Sequence, residues 1–452
     1  MDGIQALRAQ LQNSSQWTKI SLFLPILPVI YLLISEFLTQ QKEREAPAGC
    51  RQLGIPQGLP SKLSDQYDKS YAEGTEESKD ENGRGLWKIK ALFIYPLKSC
   101  YPVELFEGEV ISTGMACDRQ FTFAQLVSKK EKDGNQSRDP QWSFITQREY
   151  PLLTRVKTEL WVPEPNLDTY SKDAEFVKNR GCIVVKFPFT PSVSFSPQGL
   201  KNFFDILVAM ISSFSMYAEP EVSFRVPFNP TSERYKEKGY TRETMKIWNE
   251  YPEALNVGSE IPPEALSKLK HFLGVRNPLT LFRIDPQRYR EVHRAAPEKD
   301  VLGFQPVIGM ADAYPLHLVN LSSVHDLASK LPSTPRINLD ALRFRANIYI
   351  TGPPAFEEDT FSILRLNNRN YHVSCRTARC KLPNVSSATG FADLNQPYVT
   401  MSKYRKVDKG SPKHPVFGLQ MVPMESGVGL LKVGDEVEVV ERVEGEHVYI
   451  PQ

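Results

Sequence analysis

Apolar and polar positions alternate along most of this chain, in short runs that predict strands, with one long exception near the start. Ile20 to Ser35 (ISLFLPILPVIYLLIS) carries no charge, and across residues 20–38 only Glu36 is ionisable by charge type. As a helix, 20–38 would reach about 28 Å at ~1.5 Å per residue, which matches a bilayer's hydrocarbon core and predicts a single transmembrane anchor. Residues 1–19 before it are polar. Arg8 and Lys19 on one flank nearly balance Lys42, Arg44 and Arg51 on the other, so charge leaves the orientation open. Residues 39–85 are polar and rich in Gly, Pro, Ser, Glu and Lys, and read as a flexible linker.

From Leu86 the pattern becomes that of a β protein. LWKIKALFIYPLKSC, PVELFEGEVIS and RQFTFAQLVS read as strands, and the charged run 129–140 as a hairpin loop. WSFIT, LTRVKTELWV and GCIVVKF follow at close spacing, so 86–228 predicts a small antiparallel barrel or sandwich. Residues 196–214 have helical periodicity. The Tyr-, Glu- and Lys-rich stretch 229–261 is irregular and reads as a loop or insertion. A second β-rich domain spans 262–452. It opens with a helix over 262–273 that Gly274 stops, and then holds a strand over 314–320. A helix over 322–331 follows, with Ser322 or Ser323 as its N-cap. A strand over 346–352, a hairpin turning at Asn367-Asn368 and a closing strand over 433–443 complete the domain. The expected fold class is mixed α/β, mostly β: a small N-terminal barrel, a C-terminal barrel and an N-terminal transmembrane helix.

Composition narrows the function classes. With 41% hydrophobic and 24% charged residues, the 452-residue chain is globular and long enough for two or three domains. A net charge of +2 gives no global field for nucleic acid, so any anion site is local. Six cysteines at 50, 100, 117, 182, 375 and 380 show no framework spacing, which fits free thiols in a reducing compartment.

The stretch Tyr371–Gly390 (YHVSCRTARCKLPNVSSATG) concentrates the candidate chemistry. Cys380 lies between Arg379 and Lys381, and neighbouring positive charge favours a thiolate. C-x4-C with no second Cys or His pair is a poor zinc site, whereas a lone soft thiolate in a basic loop suits a metal that brings other ligands on an anionic cofactor. Cys375 suits an inert buried thiol better. Other basic residues fall at strand ends and turns: Lys98 with Ser99 in YPLKSC, Arg119 in TGMACDRQF, Arg343 and Arg345 in LRFRANIYI. Singly, each is an ordinary surface or ion-paired residue. If they met, they would make a strong phosphate site. No Gly-rich phosphate loop, GxSxG or HExxH is present.

FIYPLKSC, TGMACDRQF, FRANIYITG and TARCKLPNVSSATG, with VGDEVEVV and Val416-Phe417-Gly418 near the end, resemble in order the signature blocks of the MOSC superfamily. More narrowly they resemble its mitochondrial amidoxime-reducing components and their bacterial relatives. That resemblance implies a molybdenum cofactor, with molybdenum on a pyranopterin dithiolene that bears a phosphate. The metal-ligating cysteine of the family's C-x-R-C block matches Cys380, preceded by Arg379, with Thr377 in place of the block's first cysteine. Lys98, Ser99 and Arg119 match positions that hold the pterin and phosphate. Arg345 and Asn347 match an F-R-P-N pair in which Ala346 replaces Pro. Asp312 matches an Asp-Thr-Ser turn near the metal, with Ala313 and Tyr314 replacing the last two residues. Thr146 and Arg148 fall in a further block.

By the same resemblance the chain is expected to be a molybdenum-dependent reductase of N-hydroxylated compounds, anchored by a single pass in the mitochondrial outer membrane and facing the cytosol. Electrons would come from cytochrome b5 and NADH-cytochrome b5 reductase, because the chain has no haem, flavin or NAD motif of its own. The alternative is a molybdenum-cofactor-binding or sulfur-carrier MOSC protein without reductase activity.

Overall fold

The structure, a computed structural model, describes residues 45–56, 59–75, 86–130, 136–333, 339–445 and 447–449, together with positions 30, 31, 34, 35, 37 and 38. Strand Lys88–Ile94 shows how the patterning is used. It is buried without a break from Ala91 to its end, the signature of a strand covered on both faces. Its neighbours are Ile348–Thr351 on one side and Val103–Leu105 on the other, both antiparallel. It thereby enters an eight-stranded sheet ordered Val437–Arg442, Phe361–Leu366, Arg369–Ala378, Val416–Pro423, Leu316–Asn320, Ile348–Thr351, Lys88–Ile94, Val103–Leu105. Leu316–Asn320 and Ile348–Thr351 are parallel, and helix Leu321–Ser329 lies on the crossover between them. The Asn367-Asn368 turn forms as expected, with both residues left-handed as the tight hairpin requires.

A closed barrel takes Thr241–Lys246, Glu253–Asn256, Leu279–Ile284, Phe121–Lys130 and Gln136–Phe144 around its circuit. Phe144, Met245, Ile247, Ala254, Phe282, Ile284 and Met310 pack in its core. The stretch 229–261 is therefore not a loop. It forms helix Ser232–Lys238, capped by Thr231 and stopped by Gly239, and two of the barrel's strands. Its few inward apolar residues give too short an alternation to read, because the strands gain their pairing partners from 279–284 and from Trp142–Ser143.

The linker expectation for 39–85 is also corrected. Cys50–Leu53 pairs with Leu160–Pro163, Leu63 is buried in the main core, and Trp87 Nε1 donates to Thr75 O at 3.1 Å. Residues 45–56 and 59–75 take up defined positions because their sparse apolar residues cap a core made elsewhere; the rest of 39–85 lies outside the described residues. Two smaller corrections concern caps and turns. Asn320, not Ser322 or Ser323, caps Leu321–Ser329, while Ser323 Oγ donates to buried Glu358 at 2.6 Å. The F-G turn that the resemblance implies at Val416-Phe417-Gly418 lies instead within strand Val416–Pro423, where Gly418 (φ +75°) passes so close to Leu318 O that a Cβ would sit 2.5 Å from it.

The described residues up to 47, with residues 188–223, form a separate compact unit. Helix Pro197–Ser213 follows its Ser196 N-cap as the periodicity predicts, and its Val208 and Ile211 share a small apolar pocket with Ile34 and Phe37. Most of the expected anchor at 20–38 lies outside the described residues. Among the described residues no helix is long and apolar enough to cross a membrane, which overturns the single-pass, outer-membrane localisation. The longest of them, Pro197–Ser213, has 17 residues and carries Lys201 and Asp205, and spanning needs about 20 mostly apolar ones.

Candidate functional site

Strand Lys88–Ile94 runs out into a turn that places Lys98 beside the barrel strand Phe121–Lys130, its backbone N–H donating to Phe121 O at 2.9 Å. Lys98 Nζ donates to Met310 O at 2.7 Å and to Asp312 Oδ1 at 2.6 Å, and lies 5.5 Å from the Phe144 ring centre. Trp248 Nε1 donates to the same Asp312 oxygen at 2.8 Å. The next turn carries Asp118, which accepts from Tyr95 N at 2.7 Å and pairs with Arg119. Arg119 in turn donates to Arg345 O at 3.0 Å and to Asn347 Oδ1 at 3.3 Å.

Arg345 ends the short turn Ala341–Phe344 in a left-handed conformation. Its Nη1 donates to Cys100 O at 2.9 Å, and its guanidinium lies 4.2 Å from the Tyr95 ring centre, a ring that Arg119 also approaches at 4.6 Å. Its Nη2 is buried with no hydrogen-bond partner among the described residues, as are Thr146 Oγ1 and Thr377 Oγ1. Asn347 ties the layer together by donating to Phe93 O at 3.1 Å and accepting from His317 N at 3.2 Å.

Strand Arg369–Ala378 delivers Arg379 and Cys380 to the same place. Arg379 turns inward: it donates to Phe417 O at 2.9 Å and Phe344 O at 3.1 Å, and its Nη2 is 2.7 Å from His317 Nε2. Lys381 Nζ donates to Leu394 O at 3.1 Å. The two cations flanking Cys380 in sequence therefore spend hydrogen bonds on carbonyls. The thiol itself is free and half-buried.

Lys98, Ser99, Arg119, Asp312, Arg345, Asn347, Arg379 and Cys380 all line one cleft of about 650 Å³, with Thr146 and Arg148. Arg343 does not line it; its Nη1 goes to Pro383 O and Asn384 O. Cys375 is fully buried, and burial pushes its thiol up to about 12. Trp248, His317, Lys413 and Tyr449 also line the cleft, and the sequence reading missed them. Trp248 sits in the stretch taken for a loop. His317 had a signal in retrospect, a lone imidazole within an apolar strand.

The backbone is strained around this cleft. Ser99, Arg119, Trp248 and Arg345 all line it with φ of 69°, 46°, 53° and 55°. Left-handed non-glycine residues cost roughly 1–3 kcal/mol each and cluster at functional sites. The electrostatics are those of crowded cations. Burial lowers the pKa of Arg345, and lowers that of Arg379 to about 10. Burial, then the Arg379 and Arg119 charges, hold His317 well below its ordinary value, so it is neutral and accepts from Arg379. Burial opposes ionisation of Asp312, but Lys98, the Trp248 hydrogen bond and Arg119 outweigh it and hold the carboxyl well below the usual range. Among the described residues no group of three or more His, Cys, Asp or Glu side chains is placed to hold a metal ion.

Family models match the chain in two regions: a MOSC domain at residues 305–438 and a MOSC N-terminal beta barrel domain at residues 86–180, together just over half of it. Among curated proteins it is similar to mitochondrial amidoxime reducing component 2 of Bos taurus, 31% identical over 134 residues, which is 29% of this chain and 38% of the relative. Mitochondrial amidoxime-reducing component 1 of Danio rerio is 28% identical over 173 residues, 37% of this chain and 50% of the relative. Molybdenum cofactor sulfurase of Oryza sativa subsp. japonica is 25% identical over 139 residues, 29% of this chain and 17% of the relative. The chain thus spans half or less of the length of these relatives. Lys98, Ser99 and Arg119 fall in the first matched region, and Asp312, Arg345, Asn347, Arg379 and Cys380 in the second. The chain belongs to the MOSC-domain superfamily.

Proposed function

We propose that the cleft binds a molybdenum cofactor and that the protein uses it to reduce N-hydroxylated compounds. One observation carries this most: a free, half-buried thiol shares a cleft with buried cations that outnumber their carboxylates, and one of these, Arg345, has an unpartnered donor. Such a set suits a group that supplies both a metal needing a thiolate and a phosphate needing guanidinium donors. A volume of about 650 Å³ is ample for a pterin-sized ligand. The names of the relatives, amidoxime-reducing components and a molybdenum cofactor sulfurase, agree with that chemistry.

Cys380 would supply the thiolate. Lys98, Ser99, Arg119, Arg345, Asn347 and Arg379 would hold the pterin and its phosphate, with Asp312 close to the metal. When bound, the cofactor provides a redox centre able to take up one oxygen atom in exchange for two electrons. The chain's own part is to orient and to set charge. Arg345 Nη2 is a buried donor with no hydrogen-bond partner among the described residues. Asp312, ionised across the neutral range, acts as a hydrogen-bond acceptor and not as a proton donor. Reduction of R–NHOH to R–NH2 and water consumes two electrons and two protons. With no nucleotide, flavin or haem motif in the sequence, the electrons would come from a separate donor of the cytochrome b5 and NADH-reductase kind.

The full-length protein, produced in a host that makes molybdenum cofactor, should contain about one molybdenum per chain and turn over benzamidoxime with cytochrome b5, its reductase and NADH. Cys380→Ser should fold and lose turnover. Normal turnover by the serine variant would remove Cys380 from the site. Metal without turnover would favour the cofactor-binding alternative, which the sulfurase match supports.

A further inference from the structure

Charge around the cleft divides into two sets. In the inner set, Lys98, Arg119, Arg345 and Arg379 face the carboxylates of Asp118 and Asp312. The surplus there is two positive charges, which a phosphate monoester of about −1.5 to −2 would offset. In the solvent-facing set, Arg148 and Lys413 line the same cleft, and neither has a carboxylate partner among the described residues. The phosphate is thereby matched without them.

Both cations stand on braced supports. The Arg148 guanidinium lies over the Trp248 ring, 4.7 Å from its centre, and that ring meets Phe144 edge-on at 5.2 Å. Trp248 is held by its indole N–H on Asp312 and by the tight Ile247–Glu250 bridge, in a backbone conformation a tryptophan adopts only under constraint. Lys413 stands on a braced loop. Buried Asp408 accepts from Gly410 N and from Tyr449 N, each at 2.9 Å, and pairs with Arg376 at 3.1 Å. A Cβ on Gly410 would lie 1.7 Å from Tyr449 O, so the loop packs directly on the C-terminal segment.

We infer that Arg148, Trp248 and Lys413 form a recognition site for a planar substrate bearing a carboxylate or phosphate. This rests on the proposed N-hydroxyl reductase reading of the cleft. The aromatic–guanidinium stack offers a face to a ring, and the two unpaired cations meet the anionic substituent. An uncharged planar substrate would use the stack alone.

The test uses full-length, molybdenum-loaded protein and three probes: benzamidoxime, its 4-carboxylate and its 4-phosphate ester. Binding is read by calorimetry and turnover by steady-state kinetics. The anionic probes should exceed benzamidoxime about tenfold in both affinity and kcat/KM, as a charge-assisted contact provides. Whichever of the two is preferred identifies the anion. Lys413→Ala and Arg148→Ala should each remove most of that ratio. Equal binding of neutral and anionic probes overturns the inference, and so does a preference that survives both substitutions. If Lys413→Ala instead raises KM for the electron-donor protein and leaves the probe ratio unchanged, the patch docks the donor and the inference fails. If the anionic probes bind preferentially but no probe turns over, the inference stands and the reductase reading falls.

Discussion

Two clusters of buried arginine stand in this protein, and they are neutralised in different ways. In the cluster that braces the 408–414 loop, Arg376 pairs with Asp408 at 3.1 Å and Arg405 with Asp359 at 2.7 Å, with Arg376 and Asp359 3.9 Å apart. Positive and negative charge balance, and the group is complete as it stands. In the cleft, Arg345 and Arg379 are just as buried but find mainly backbone carbonyls, a neutral imidazole and an aromatic ring. A partial dipole does not neutralise a guanidinium. Buried charge is kept when it is paired, so an unbalanced set implies a partner from outside the chain. The balanced cluster belongs to the fold and the unbalanced one to a ligand.

The strongest attack on this contrast is Asp408→Ala. It would leave Arg376 buried without its counter-charge, and should cost about 3–5 kcal/mol in denaturant unfolding. A loss below about 1 kcal/mol would mean the cluster is not the brace it looks like. Next comes a carboxyl that has no cation at all. Burial, and secondarily Asp359, push Glu358 from 4.5 up to about 7. Because its folded pKa is raised, its contribution is fully present below about pH 4.5 and is lost as pH rises through 7. The loss is at most about 3 kcal/mol. Glu358→Gln should flatten the stability profile between pH 5 and pH 8, and an unchanged slope would assign that slope to other groups. The smallest effect on folding, and the most telling, is Arg345→Leu. Metal-free protein should unfold within about 1 kcal/mol of wild type, since a desolvated cation is removed along with its contacts. Molybdenum per chain, read by mass spectrometry, should fall about tenfold or more, the worth of a charge-assisted contact. A fall in stability as large as that of Asp408→Ala would erase the distinction between the clusters.

Legibility in the sequence follows the range of the interactions. The helix over Pro197–Ser213, the Gly274 stop and the Asn367-Asn368 turn are decided by neighbours within a few residues, and periodicity or turn chemistry reveals them. The strands in 229–261 depend on pairing partners elsewhere in the barrel, so TRETMK looks no different from a solvated loop. In the cleft, Lys98, Arg119, Arg345 and Cys380 were picked out by the resemblance of their short blocks to those of the MOSC superfamily; spacing alone did not show that they share one cleft. The direction in which Arg379 points was not readable, since it is set by the carbonyls of Phe344, in a distant turn, and Phe417, in a neighbouring strand. Trp248 was missed for a compound reason: it lies in a hairpin whose strands were unreadable, and only the fold carries it to Asp312.

Strand Lys88–Ile94 sits inside a sheet whose other members mostly come from the far end of the chain, and this sets the order of assembly at the ribosome. Its partner Ile348–Thr351 emerges roughly 250 residues later, about 10–50 s at a synthesis rate of roughly 5–20 residues per second. For that interval a largely apolar strand has only the short Val103–Leu105 to pair with. The Lys98 turn that follows the strand therefore takes its place only after residues 310–312 and 348–351 have been made.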